Sequence, residues 1–121
     1  MKQLDTTYLL IQWGTWLRVQ AGVPTYVSPQ WALMRDNIQV HSGPSPDITD
    51  DLALVIDRHI GRLYMRYPEA GTALWNYYRY AGMTYRKLGR LMGIHHNQAE
   101  KLVSIGYGWL DGCLDAYAEA A

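Results

Sequence analysis

The chain has no long apolar run, only one cysteine and no net charge, and each shortage excludes a class of protein. No apolar run approaches the roughly 20 residues that a membrane-spanning helix needs. The N-terminus lacks the cationic, apolar and small-residue order of a signal peptide. Cys113 alone cannot form an intramolecular disulfide, which suits a reducing compartment. We therefore expect a cytoplasmic protein that does not associate with membranes.

Phenylalanine is absent too, and the 11 cationic side chains are balanced by 11 acidic ones. A net charge of zero argues against a protein that coats nucleic acid through its overall field. The charges are unevenly placed, however. The segment from Arg79 to Lys101 contains several cations but a single acid, Glu100. A locally basic segment is therefore expected in a neutral chain.

Length and composition predict one folded domain over residues 1–121. The chain is 49% hydrophobic and 18% charged, as globular domains are. Apolar residues recur mostly at helical spacing, so we expect an all-α protein of five to six helices. We divide it into an N-terminal helical part at 1–40, a linker rich in proline, glycine and serine at 41–47, and a helical core at 48–121.

Local signals place the predicted helices. Thr49 is expected to cap a helix that has acidic residues in its first turn and ends near Tyr67. Pro68 can open the next helix, which ends near Tyr80, because proline suits the first turn. Three further helices are predicted outside the Thr84–Ser104 segment. The first is Thr6–Gln20, in which Gly14 is expected to pack closely against a neighbour. The second is Gln30–Ile38, and the third runs from beyond Ser104 to near Ala118.

The segment Thr84–Ser104 has the pattern of a helix-turn-helix, the motif that places one helix in a DNA groove. Thr84 is expected to cap the first helix, in which Leu88, Leu91 and Met92 recur at helical spacing beside a small Gly89. Gly93 stands where the chain must reverse, because glycine adopts a left-handed conformation at little cost. Ile94 follows as an apolar plug. The apolar face of the second helix consists of Ala99, Leu102 and Val103.

The polar positions of this segment are the candidate DNA-binding residues. Cations lie off the apolar stripe of the first helix, where they could hold phosphates while the second helix enters the major groove. The second helix concentrates the amide, cationic and imidazole groups that hydrogen-bond base edges. The alternative is a solvated helix surface. The candidates are Arg86, Lys87, Arg90, His95, His96, Asn97, Gln98, Glu100, Lys101 and Ser104.

A metal site or an active site is not expected. Adjacent residues on a helix diverge by about 100°, so His95 and His96 should not readily share one metal. His96 and Glu100 have suitable spacing, but two ligands make a weak site. There is no nucleophile motif and no phosphate-binding glycine loop, so we expect no enzyme, no catalytic residue and no cofactor.

Two further features could contact partners. Arg58, Arg62 and Arg66 recur every four residues and form a cationic stripe on one helix. The stripe is a solvated face, a set of internal salt bridges, or a contact with nucleic acid or polymerase. Aromatic residues are enriched in protein interfaces, which makes the N-terminal third a candidate partner surface. Its tryptophans, Trp13, Trp16 and Trp31, are nevertheless expected in the core.

Three stretches resemble the phage late-gene antitermination protein Q family, in the branch that lacks a zinc-ribbon insertion. The first is WGTW at Trp13–Trp16, and the second is ITDDLALVIDRHIGRL at Ile48–Leu63. The third, at Tyr67–Leu114, contains YRKLGRLMGI followed by AEKLV and WLDG. This combination is much more specific than a helix-turn-helix alone. It implies a helix-turn-helix like that of sigma region 4.

The resemblance also implies a function. Q-type proteins bind a DNA element near the late promoter and load onto a paused RNA polymerase that contains sigma factor. They then let the enzyme ignore terminators, in this branch by narrowing the RNA exit channel. The expected partners are double-stranded DNA, the polymerase, nascent RNA and, on a repeated DNA element, a second copy of the chain.

Two other functions stay open from the residues alone. An ordinary helix-turn-helix repressor or activator would bind DNA with the same motif but act only at initiation. A structural interaction module would not bind DNA at moderate salt.

Overall fold

A computed structural model describes residues 5–20 and 48–120, which form five helices and no strand. This confirms the all-α prediction. The helix predicted at Gln30–Ile38, the linker at 41–47 and Trp31 lie outside the described residues. No helix within the described ranges is long and apolar enough to cross a membrane. The helices are α1 (Thr6–Gln20), α2 (Asp50–Arg66), α3 (Pro68–Arg79), α4 (Tyr85–Met92) and α5 (His96–Ala120).

Conventional signals begin and end most of these helices. The Oγ1 atom of Thr49 accepts a hydrogen bond from the Leu52 N–H at 3.1 Å, as an N-cap does. Tyr67 separates α2 from α3, which opens with Pro68 as predicted. Both helices end one residue before the predicted ends. The helix after Ser104 is the continuation of α5, which runs unbroken for 25 residues, about 37 Å.

The core is a single cluster to which all five helices contribute. Its centre is α5, which contacts each of the other four helices. The side chains of Leu110 and Leu114 in its second half are fully or almost fully buried. The first half of α5 therefore belongs to the same rigid rod as residues deep in the core, so its orientation is fixed by the packing of the whole domain.

Polar contacts fasten α1 to the rest of the domain. The Trp16 indole N–H donates to Oδ1 of Asp50 at 2.8 Å, so this acid does more than complement a helix dipole. The hydroxyl groups of Thr7 and Tyr107 lie 3.0 Å apart, and the Thr6 hydroxyl donates to Asp111 on α5. The first contact holds α1 on the start of α2, and the other two hold it on the middle of α5.

The two α1 tryptophans lie in the core, as predicted. Trp13 is fully buried and meets Trp75 edge to face, with ring centroids 5.3 Å apart. Gly14 packs against α3 so closely that a Cβ atom would collide with the carbonyl oxygen of Tyr78, which confirms the predicted close approach. Trp13 and Trp16 are consequently not part of any exposed partner surface.

The apolar stripe predicted for α4 is only partly correct. Leu88 is fully buried and Met92 packs against the core, but Leu91 is 54% exposed. A helix of eight residues presents only a narrow face to the core, and successive residues point about 100° apart. The position of Leu91, three residues after Leu88, falls outside that face.

We expect Leu88→Ala to lower the free energy of unfolding by about 2–5 kcal/mol, because it leaves a cavity in a packed core. Leu91→Ala is the matched control on the same helix and should change stability by less than about 0.5 kcal/mol. Urea unfolding followed by circular dichroism measures both. Equal losses in the two variants would contradict the assigned orientation of α4.

Candidate nucleic-acid interface

The turn between α4 and α5 is built around Gly93. Its φ of 73° is left-handed, the conformation predicted for this glycine. The N–H groups of Gly93 and Ile94 both donate to the carbonyl oxygen of Gly89, and Ile94 packs against the core. The two helices and their short turn are compatible with the predicted helix-turn-helix.

Gly89 lets the turn pass close over α4. A Cβ atom at this position would lie 2.7 Å from the carbonyl oxygen of Ile94 and 3.2 Å from the backbone nitrogen of His96. Both contacts are with backbone atoms, which cannot rotate away as a side chain can. The small residue is therefore a requirement for the relative placement of the two helices.

Gly89→Ala is expected to lower the free energy of unfolding by about 1–3 kcal/mol, because the added methyl group forces the turn away from α4. Gly108→Ala is the control, since a Cβ atom there meets nothing within 4 Å. It should stabilise α5 by about 0.5–1 kcal/mol, because alanine loses less backbone entropy in a helix. Thermal unfolding of both variants measures the contrast, and stabilisation by Gly89→Ala would contradict the close approach.

The first half of α5 presents a polar face to solvent. Asn97, Glu100, Lys101 and Ser104 are exposed and line one shallow depression together with Ile105. Ala99, Leu102 and Val103 are buried on the other side, as the spacing predicted. Gln98 is exposed as well. The side chains that could reach base edges are therefore accessible on a helix whose opposite face is anchored.

The three cations of α4 are exposed. Arg86, Lys87 and Arg90 form no salt bridge within the described ranges. The Lys87 ammonium group donates to the carbonyl oxygen of Gly82 at 3.4 Å, a long contact that leaves its other protons available. The Thr84 hydroxyl caps α4 by accepting from the Lys87 N–H at 3.1 Å, as predicted. No acid among the described residues forms an ion pair with these cations, and Glu100 is the acid whose charge reaches this end of α4.

The two histidines are arranged differently from the prediction. His95 lies in the turn and only His96 is helical, so their side chains do not diverge as adjacent helical residues would. Their rings stack with centroids 4.3 Å apart and planes 29° apart. Desolvation lowers the pKa of His96, and His95 and Arg86 lower it further, while Glu100 acts in the opposite direction. Both rings thus belong to one polar cluster at the start of α5.

No group of three or more potential metal ligands comes together among the residues that the structure describes. Neither His95 nor His96 has a cysteine or a third histidine beside it there. Stacked rings hold the two imidazoles face to face, which is not the convergent arrangement that a metal ion requires.

The arginine stripe lies on α2. Arg58, Arg62 and Arg66 are all exposed, and none forms an ion pair in the described part of the chain. The predicted alternative of internal salt bridges is therefore not seen among the residues that the structure describes. The pKa of His59, between two of these arginines, is lowered first by burial and then by Arg62 and Arg58. The stripe is an exposed cationic surface.

Sequence reasoning missed a groove beside α4, which is lined by apolar side chains and by Glu69, Thr72 and Asn76. Tyr64, Tyr80 and Leu91 line it together with Met92, and the first three are 40–55% exposed. A second depression adjoins it and shares Tyr64 and Thr72. The sequence signal was Leu91, whose spacing with Leu88 and Met92 placed it on the apolar face of the first helix of the segment.

The family model described as phage antitermination protein Q matches residues 2–120. No curated protein and no solved structure gives a match. The matched range covers nearly the whole chain and includes α4, the turn and α5.

Proposed function

Since the chain belongs to the phage antitermination protein Q family, we propose that it is an antiterminator that binds a DNA element at a late promoter. It then loads onto a paused RNA polymerase that contains sigma factor, in the cytoplasm of the host bacterium. The polymerase carries it past terminators. The observation that supports the DNA-binding step most strongly is the pairing of exposed cations on α4 with an exposed polar face on α5.

The dimensions of α5 suit entry into a DNA groove. A helix with side chains is about 10–12 Å across, which fits the ~12 Å width of the major groove, and residues 96–104 provide about 13 Å of such helix. Asn97 can pair with adenine and Lys101 with guanine. Glu100 repels phosphates but can accept from the amino group of cytosine, so its place is toward the bases. His96, Gln98 and Ser104 complete the proposed contact surface, and His95 lies at its edge, directly before α5.

The α4 cations have a different proposed role. Arg86, Lys87 and Arg90 contact phosphates and so fix the position of the protein on the duplex without reading its sequence. Three phosphate contacts give only modest affinity, and the neutral chain adds little through its overall field. A second copy on an adjacent half-site, about one helical turn away, would add the affinity that one copy lacks.

The arginine stripe of α2 is the proposed contact with polymerase or nascent RNA. Its three guanidinium groups are exposed and have no acidic partner in the described segments, so each can bind a phosphate or a carboxylate. Placed near the RNA exit channel, such a stripe would hold emerging RNA while the protein narrows the channel. A terminator hairpin would then not form. This function needs no cofactor and no catalytic residue.

Ordinary regulation of initiation is the alternative function. It would use the same α4 and α5 surfaces, so DNA binding alone does not distinguish the two. The distinction is whether the protein changes the behaviour of polymerase after it has left the promoter.

The DNA-binding step is tested by footprinting the purified chain on late-promoter DNA from the genome that encodes it. Three phosphate contacts should give a slope of about −2.7 for the logarithm of affinity against the logarithm of salt concentration, and two copies about twice that. Protection of one short element with such a slope is the expected result. Absence of binding in about 0.05 M salt would contradict the proposal.

A further inference from the structure

The side chain of His95 caps α5. The backbone carbonyl oxygen of His95 accepts hydrogen bonds from the N–H groups of Gln98 and Ala99, both at 3.0 Å, so the helix begins directly after His95. Its Nδ1 atom accepts a third hydrogen bond, from the N–H of Asn97 at 3.1 Å. An N-cap residue is defined by this pattern, because its side chain satisfies one of the N–H groups that the first turn leaves unpaired.

Histidine is an unusual cap. The side-chain caps of α2 and α4 are hydroxyl groups, those of Thr49 and Thr84, which stay neutral at every physiological pH. An imidazole can accept at Nδ1 only when it is neutral and carries its proton on Nε2. A protonated imidazole has no free lone pair and cannot cap the helix. The start of α5 therefore depends on the protonation state of one side chain.

We propose that His95 is a positioning residue that starts the DNA-facing helix in its neutral form, rather than a cationic ligand of phosphate. The inference rests on the DNA-binding function proposed above. Through the bond to the Asn97 N–H, His95 fixes the backbone from which Asn97, the first exposed residue of the polar face, projects. Loss of the cap frays the first turn of α5 and disorders that contact.

The ring of His95 stacks on that of His96, on which Arg86 of α4 and Glu100 of α5 both act. The N-terminal end of α5 is also the positive end of its helix dipole. Protonation of His95 would take up the lone pair that caps α5. Acidification should therefore weaken DNA binding, whereas a cationic phosphate ligand would strengthen it.

Two substitutions separate capping from direct contact. In His95→Asn the Oδ1 atom takes the place of Nδ1, so the cap is kept while the outward Nε2–H donor and the titration are lost. In His95→Gln the amide reaches the place of Nε2, so an outward donor is kept and the cap is lost. DNA affinity of the wild type and both variants is measured between pH 8 and pH 5.5 on the footprinted element.

Capping predicts that wild-type affinity falls about fivefold as the pH is lowered, the size of a typical N-cap loss. His95→Asn should match the wild type at pH 8 and lack this fivefold fall at low pH, and His95→Gln should be about fivefold weaker at pH 8. Binding that is retained by His95→Gln and lost by His95→Asn would overturn the proposal. So would wild-type affinity that rises on acidification while His95→Asn stays constant.

Amide exchange at Asn97 in the free proteins keeps this inference separate from DNA binding. Protection of the Asn97 N–H in the wild type and His95→Asn, and its loss in His95→Gln, supports the cap even without DNA. Equal exchange in all three would overturn it. Failure of the wild type to bind DNA at every pH would instead refute the proposed function.

Discussion

Replacement of Arg86, Lys87 and Arg90 by alanine is expected to lower the affinity for the late-promoter element roughly 10²-fold in about 0.1 M salt. Each lost phosphate contact means that about one counterion fewer is released on binding. The slope of the logarithm of affinity against the logarithm of salt concentration should therefore become less steep by about 2.7. The three side chains are exposed and form no salt bridge in the described structure, so their removal should leave the fold intact. Titration by fluorescence anisotropy at several salt concentrations measures both quantities.

The matched control removes equal charge from another helix. In the variant with Arg58, Arg62 and Arg66 replaced by alanine, net charge changes by the same three units. If α4 makes the phosphate contacts, this control should retain DNA affinity within a fewfold and keep its salt slope. Equal losses in both triple variants would show that total charge governs binding and would contradict a local interface on α4.

Combined Asn97→Ala and Lys101→Ala is expected to abolish terminator read-through at the late-promoter element while the protein stays folded. Each side chain can supply a base contact worth about 1–3 kcal/mol of discrimination. Losing both should weaken specific binding by a factor of about 10²–10⁴ and leave little preference for the element. Both residues are exposed on α5, so circular dichroism and thermal unfolding should change little.

Asp115→Ala with Glu119→Ala is the control for this pair. Both acids are exposed near the other end of α5, where the proposed mode of binding makes no contact with DNA. Read-through should persist in that variant. Unchanged read-through in the Asn97 and Lys101 variant would remove these two residues from the proposed interface.

Signals that depend on a few neighbouring residues could be predicted from the sequence. Thr49 and Thr84 cap helices because a hydroxyl group satisfies the N–H two or three residues ahead. Gly93 occupies the left-handed turn because side chains with a Cβ atom are strained there. The all-α class followed from the same kind of local information, repeated along the chain.

Features that depend on packing could not be predicted in this way. The exposure of Leu91 is set by which side of α4 meets the core, and spacing alone fits two neighbouring faces. The prediction that the side chains of His95 and His96 diverge assumed that both residues are helical. His95 escaped notice as a cap because histidine is rarely one, and only the position of its Nδ1 atom reveals the role.

The sequence could identify polar and cationic residues on the outer faces of α2, α4 and α5, because exposure follows from helical spacing. It could not identify which of these faces binds which partner, because the cations of α2 and those of α4 are equally exposed.

Single-round transcription with purified RNA polymerase holoenzyme tests the antitermination function most directly. Two templates are compared, each with the same promoter, pause and downstream terminator, one carrying the footprinted element and the other a scrambled copy. The expected result is that the protein raises read-through only on the template with the element and only when added before polymerase leaves the pause. Binding to the element with no change in read-through would contradict antitermination and favour an ordinary regulator of initiation.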